Sequence, residues 1–311
     1  MKHFISIDDL DVNEIHNLLN AAKLYRENEY KITKQVFIAN LFFEPSTRTK
    51  TSFIVAERKL GLDFLEFDTH TSSMKKGETL YDTAKTFEAV GAECLVIRHE
   101  DDNWSRGISE KLNIPIINAG SGKKDHPTQS LLDLDTIYQE FGYFKGLKVV
   151  ISGDIKHSRV ARSNAQLLSK LGVNVYFTAA DEFVEDELGF PYISIEEAIE
   201  TCDVLMLLRI QHERHDQYSG ATVDYLAKYG LTKERENKMK KHAIILHPGP
   251  VNRGVEIDSD LVECSRSRIN KQVSNGVYIR MAVITKELLE WGIIKESDIQ
   301  RIDMRKEPHI V

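Results

Sequence analysis

The stretch Val36-Phe37-Ile38-Ala39-Asn40-Leu41-Phe42-Phe43 is nearly all apolar, with little alternation between polar and apolar positions. A strand of that kind is covered on both faces, as in a parallel sheet. It leads through Glu44-Pro45-Ser46-Thr47 into a helical periodicity from Arg48 to Leu60, closing on Gly61, a residue type that commonly ends helices. The pairing recurs. Apolar runs Asp63 to Phe67, Cys94 to Ile97, Ile114 to Ile117, Leu147 to Ile151, Val173 to Phe177, Val204 to Leu208 and Ala243 to Leu246 punctuate the chain. Between them lie helical segments such as Thr79 to Val90, Pro127 to Phe141 and Arg159 to Leu171, several followed by glycine (Gly91, Gly142, Gly172). Strand and helix in alternation predict an α/β architecture.

The runs form two series, joined by the helical stretch Thr128 to Phe141 and separated by the break Gly142-Tyr143-Phe144-Lys145-Gly146. This predicts two parallel-sheet α/β domains, 1–134 and 135–281, with the active site in the cleft between them. A C-terminal helical stretch, about 282–311, is expected to return to the first domain.

A chain of 311 residues is long enough for two medium domains. Its 41% hydrophobic and 29% charged residues are those of an ordinary globular protein. A net charge of −7 argues against a general nucleic-acid or membrane-surface role, yet leaves room for anionic small substrates where a few cations gather. Cys94, Cys202 and Cys264 are far apart and make no zinc or redox motif. Cys94 and Cys202 lie in or beside apolar runs, where a buried, inert thiol is expected. The start turns acidic at Asp8-Asp9 before an apolar leader could form, and no run of about 18 apolar residues occurs, so a cytoplasmic protein is expected.

Ligands of open α/β sheets bind beyond the carboxyl ends of the strands, and there the unusual polar residues collect. Ser46-Thr47-Arg48-Thr49 opens a helix, where unpaired N–H groups and the macrodipole favour an anion and Arg48 adds a charged fork. An ordinary N-cap would explain the Ser or Thr but not the arginine. Arg98 and Arg209 each follow a strand, a position where a solvated end or a salt bridge is the usual reading. His126 precedes Pro127, a residue suited to the first helical turn, and a neutral imidazole there could donate to a carbonyl oxygen with Gln129 nearby. A plain surface or core histidine is the alternative. The loop Thr71 to Glu78 carries Lys75 and Lys76, and nothing in its residues separates a functional loop from a solvated one.

Taken together, these segments resemble the aspartate/ornithine carbamoyltransferase family, and its aspartate branch more closely. The resemblance rests on Phe42-Phe43-Glu44-Pro45-Ser46-Thr47-Arg48-Thr49 with Ser52-Phe53, Lys76-Gly77-Glu78-Thr79, Arg98-His99 and His126-Pro127-Thr128-Gln129. Gly153-Asp154 leading to Arg159, Arg209-Ile210-Gln211 with Glu213-Arg214, and His247-Pro248-Gly249-Pro250 complete it, in family order from about Met1 to Leu289.

The resemblance implies transfer of a carbamoyl group from carbamoyl phosphate to the amine of L-aspartate, an early step of pyrimidine synthesis. The first domain would bind carbamoyl phosphate and the second aspartate. Ser46, Thr47, Arg48, Thr49 and Arg98 would hold the phosphate. Thr49, Arg98 and His126 would donate to the carbonyl oxygen, Gln129 would bind the amide, and backbone groups of Pro248, Gly249 and Pro250 would accept from it. Arg159 and Arg209 would grip the two carboxylates of aspartate, with Gln211 near its amine. Ser72 and Lys76 would enter from a neighbouring subunit, Lys76 also reaching the aspartate. The implied unit is a homotrimer with sites shared between subunits, open to assembly with regulatory or other pyrimidine-pathway chains. No cofactor, metal or covalent nucleophile is implied.

Some positions depart from the family pattern. Val160 stands where some relatives carry a hydroxyl, Gly249 is often larger, and the tail from Glu290 runs past the usual end. An ornithine-type enzyme would share the phosphate half, but that branch typically has cysteine where Pro248 stands, and ornithine lacks the second carboxylate that Arg209 would hold. A non-catalytic scaffold would be expected to have lost some of Arg48, Lys76, Arg98, His126 or Arg209, all present here. A nicotinamide-dependent dehydrogenase would need a G-x-G-x-x-G after a strand, and none is found.

Overall fold

The computed structural model describes residues 2–68, 77–210 and 222–302. In chain order the regular elements are α1 (Val12–Glu27), β1 (Tyr30–Ile32), β2 (Phe37–Phe42), α2 (Thr47–Leu60), β3 (Asp63–Glu66), α3 (Leu80–Ala89), β4 (Cys94–His99), β5 (Ile116–Ser121) and α4 (Pro127–Phe141). There follow β6 (Lys148–Ser152), α5 (Arg159–Lys170), β7 (Asn174–Thr178), α6 (Ile195–Thr201), β8 (Val204–Leu207), α7 (Thr222–Tyr229), α8 (Lys233–Glu236), β9 (Ile244–Leu246), α9 (Ile269–Glu290) and β10 (Ile299–Arg301).

The chain divides into two compact units. The first comprises residues up to Gly122, His126–Thr128 and those from Asn275 onward; the second comprises Lys123–Asp125 and Gln129–Ser274. Each holds a four-stranded sheet, in the order β3-β2-β4-β5 and β7-β6-β8-β9. Every pair within these sheets is parallel. The run Val204 to Leu208 does what its lack of alternation implied, since β8 is buried along its whole length. β5 is also buried throughout, but it spans Ile116–Ser121 rather than Ile114 to Ile117 and so takes in Asn118 and Ser121, while β3 lies at the sheet edge and is half-buried or exposed. In the first unit Ala39, Leu41, Leu95, Ile97 and Ile116 pack with Trp104. In the second Val150, Leu205, Leu207 and Ile245 pack with Ile199 and Leu261. Helix ends follow local rules. Asp11 and Glu14 form a capping box at the start of α1, and Gly61 ends α2 at a φ of +78°, a region that only glycine enters at little cost.

The C-terminal region differs from expectation. The helix predicted from about Ala282 to the chain end begins at Ile269 and ends at Glu290, and the tail then forms β10, antiparallel to β1. The early half of α9 escapes a periodicity search because it hides polar residues: Gln272, Asn275 and Arg280 are all buried. In the first unit Arg280 donates to the Ser52 hydroxyl at 3.0 Å, and Tyr25 donates to the Thr285 hydroxyl at 2.8 Å. Ile299–Arg301, in the stretch after Glu290 to which the sequence assigned no role, thus close a small sheet with Tyr30–Ile32. No helix among the described residues is long and apolar enough to cross a membrane.

Candidate active site

In the first unit the sequence-flagged residues stand at the carboxyl ends of the adjacent parallel strands β2, β4 and β5. Ser46 occupies the N-cap of α2 but its side chain makes no capping hydrogen bond. Capping is therefore not what this hydroxyl does, and the first-turn N–H groups keep their character as an anion site. Thr47 and Arg48 are exposed and Thr49 is buried. Arg98 pairs in register with Phe42, the last residue of β2, so β4 delivers its guanidinium beside the turn. Its Nε lies 3.1 Å from Glu44 Oε2, and Nη1 donates to the Ala119 carbonyl at 3.5 Å. A carboxylate from the loop before α2 and a carbonyl of β5 so orient a planar fork that is only 12% exposed. His126 is buried immediately before α4, which begins at Pro127.

The second unit holds the remaining residues. After β6, buried Asp154 accepts at 2.9 Å from the ring Nδ1 of His157. Arg159 opens α5, whose start is capped by the Ser158 hydroxyl accepting from the Ala161 N–H. Arg209 follows β8 and its Nε donates to Asn252 Oδ1 at 3.5 Å; Asn252 Nδ2 in turn donates to the Ile210 carbonyl at 2.9 Å. The turn His247-Pro248-Gly249-Pro250 follows β9. The Gly249 N–H donates to His247 Nδ1 at 2.8 Å, so the ring proton sits on Nε2 and faces Glu256 Oε1 at 3.1 Å. Gln129 is buried in the first turn of α4, with Nε2 donating to Asp133 Oδ1 at 2.9 Å. Ser72, Lys76 and Gln211 lie outside the described residues.

Glu44, Asp133, Asn252 and Glu256 were missed by sequence reasoning. Asp133 had a signal, because it lies four residues after Gln129 and so on the same helix face. The others are brought in by loop geometry and had none. Burial pushes the Cys94 thiol well up and the Cys202 thiol to about 12, so both are inert as nucleophiles, in line with their apolar surroundings. Among the described residues no group of three or more His, Cys, Asp or Glu is placed to hold a metal ion.

Two family models cover almost the whole chain. Residues 2–139 match the aspartate/ornithine carbamoyltransferase carbamoyl-P binding domain, and residues 145–286 match the Asp/Orn binding domain of the same family. The chain belongs to the aspartate/ornithine carbamoyltransferase family. The residues between the two matches, 140–144, overlap the Gly142–Gly146 break of this carbamoyltransferase. It is 60% identical to the aspartate carbamoyltransferase catalytic subunit of Oceanobacillus iheyensis over 301 residues, covering 96% of this chain and 97% of that one. Among solved structures, the catalytic subunit of M. Jannaschii aspartate transcarbamoylase is similar at a TM-score of 0.84 and 32% identity, covering 93% of this chain and 99% of that one. The aspartate transcarbamoylase of Trypanosoma cruzi in complex with carbamoyl phosphate and aspartate is similar at 0.80 and 28%, covering 91% and 94%. The family membership anticipated from seven ordered motifs is thus carried by nearly the full length of the carbamoyltransferase.

Proposed function

We propose that this chain transfers the carbamoyl group of carbamoyl phosphate to the amine of L-aspartate, giving N-carbamoyl-L-aspartate and phosphate in pyrimidine synthesis. The observation that carries the reading is the start of α2, where an uncapped Ser-Thr-Arg-Thr turn stands beside an arginine already oriented by Glu44. Such a site suits a phosphoryl group. Residues of the first unit bind carbamoyl phosphate: Ser46, Thr47, Arg48, Thr49 and Arg98 take the phosphate, and Thr49, Arg98 and His126 donate to the carbonyl oxygen. Gln129 and the backbone of Pro248, Gly249 and Pro250 take the amide. Arg159 and Arg209 in the second unit take the aspartate carboxylates, with Gln211 near the amine.

The amine nitrogen attacks the carbamoyl carbon, the carbonyl oxygen becomes negative, and the carbon–oxygen bond to phosphate breaks. The three donors aimed at that oxygen are the main catalytic requirement, each worth on the order of 10²–10³ in rate. The leaving phosphate takes the amine's proton, so no protein base is needed. We further read the working form as a cytoplasmic homotrimer to which Ser72 and Lys76 of a neighbouring subunit contribute, with Lys76 reaching the aspartate and with regulatory or pathway chains as further partners.

The test supplies purified protein with carbamoyl phosphate and either L-aspartate or L-ornithine, following carbamoylated product and phosphate together. Product with aspartate alone is expected. Arg48→Ala should lower kcat/KM for carbamoyl phosphate by about 10–100-fold, the cost of one charged hydrogen-bonding group. Product with ornithine alone would overturn the roles of Arg159 and Arg209, and silence with both would overturn the reaction.

A further inference from the structure

Beneath Gln129 and the His247–Pro250 turn lies one buried polar cluster in the second unit. Asp133 is fully buried. Its Oδ1 accepts from Gln129 Nε2 at 2.9 Å and from Gln272 Nε2 at 2.7 Å, and its Oδ2 accepts from Asn164 Nδ2 at 2.8 Å. Gln272 Oε1 accepts from the His247 backbone N–H at 2.9 Å.

A side-chain amide has a donor end and an acceptor end, and nothing intrinsic to Gln129 decides which end a ligand meets. A carboxylate only accepts, so Asp133 holds the NH₂ end of Gln129 and turns its carbonyl the other way. The same oxygen holds the NH₂ end of Gln272, which fixes that side chain's carbonyl on the His247 N–H and so anchors the first residue of the turn. One carboxylate thereby sets two acceptors, the Gln129 carbonyl and the turn's backbone, for a single partner, the carbamoyl amide.

We propose that Asp133 is a positioning residue through which the enzyme selects a carbamoyl group over its acetyl isostere. The proposal rests on the roles given above to Gln129 and Pro248–Pro250. Carbamoyl phosphate presents an NH₂ where acetyl phosphate presents CH₃, and the two share the phosphate and the carbonyl oxygen. Aligned acceptors reward the first and leave the second facing unpaired oxygens. Inorganic phosphate meets neither.

The experiment compares kcat/KM for carbamoyl phosphate with inhibition constants for acetyl phosphate and for inorganic phosphate, in wild type and variants of the intact protein. In Asp133→Ala, kcat/KM should fall at least about tenfold. Both inhibition constants should stay within about twofold, since the phosphate half of the site is untouched. General loosening would instead weaken all three together. Asp133→Asn should recover most of the discrimination. Its carbonyl can keep both glutamines while its NH₂ faces Asn164, whose Oδ1 has no hydrogen-bond partner among the described residues and can turn to accept. Should Asp133→Ala fail to assemble, Gln272→Ala, which spares Asp133 and cuts only the link to His247, should still lower the carbamoyl-to-acetyl preference at least about threefold. An unchanged preference in an active variant overturns this inference and leaves the reaction standing; a wild type that makes no carbamoylaspartate overturns both.

Discussion

Replacing Glu57 by glutamine is expected to stabilise the protein by an amount that grows with pH. Glu57 lies on α2, fully buried, with Oε2 accepting from Asn40 Nδ2 at 2.8 Å and Oε1 without a hydrogen-bond partner among the described residues. Burial, only partly offset by the Asn40 hydrogen bond, raises its carboxyl from 4.5 to about 7. The folded state therefore holds this proton more tightly than the unfolded chain. Below about pH 4.5 both states are protonated and the group costs nothing. Between about pH 4.5 and 7 the unfolded chain ionises first, and stability falls as pH rises. Above about 7 the full cost is present, about 3 kcal/mol at about 1.4 kcal/mol per factor of ten in proton affinity. Glutamine keeps the acceptor for Asn40 and removes the charge. Glu287, also buried and raised to about 7, is present in both proteins and cancels in the difference. The assay is urea unfolding by far-UV circular dichroism from about pH 4.5 to 8, at fixed protein concentration because association contributes to stability. The advantage of Glu57→Gln should climb from a few tenths to about 3 kcal/mol across that range. A flat or falling difference would refute the reasoning, since it would mean that burial does not hold Glu57 neutral.

Native protein treated with a thiol reagent should label Cys264 promptly, with Cys94 and Cys202 reacting only after unfolding, because those two are buried with raised thiols; prompt labelling of either would contradict the packing. Gly153→Ala should cost more than about 1 kcal/mol in unfolding free energy, since φ is +132° and a Cβ would lie 2.9 Å from the Leu208 carbonyl oxygen; an unchanged denaturation midpoint would count against the close approach of these two chain segments. Asp11→Ala should cost about 1 kcal/mol by opening the α1 capping box, read from the same urea curves. No loss would mean that the cap contributes nothing.

Much of the candidate site was legible because its residues sit directly after strands that announce themselves. Arg98 and Arg209 follow runs that could only be buried, and Ser46 falls where a helical period begins. The residues that orient them were not legible. Glu44 stands in the loop before α2 and reaches Arg98 on the adjacent strand, and Glu256 reaches His247 from the loop beyond the Pro250 turn. Neither spacing repeats any pattern that a helix or strand would produce. Asp133 lay within reach of the helical i,i+4 rule, but its second and third partners, Asn164 and Gln272, come from α5 and α9 and no local rule joins them.

By itself the amino-acid sequence determined the α/β class, the approximate sites of most parallel strands and the order of the site segments, because a strand buried on both faces is largely apolar and a helix repeats on its own period. The tertiary structure alone decided the order of strands in each sheet, the antiparallel pairing of Tyr30–Ile32 with Ile299–Arg301, and the burial of Gln272, Asn275 and Arg280 within α9. Those outcomes depend on partners distant in the chain. A polar side chain reads as solvent-facing until the acceptor that repays its burial is in place.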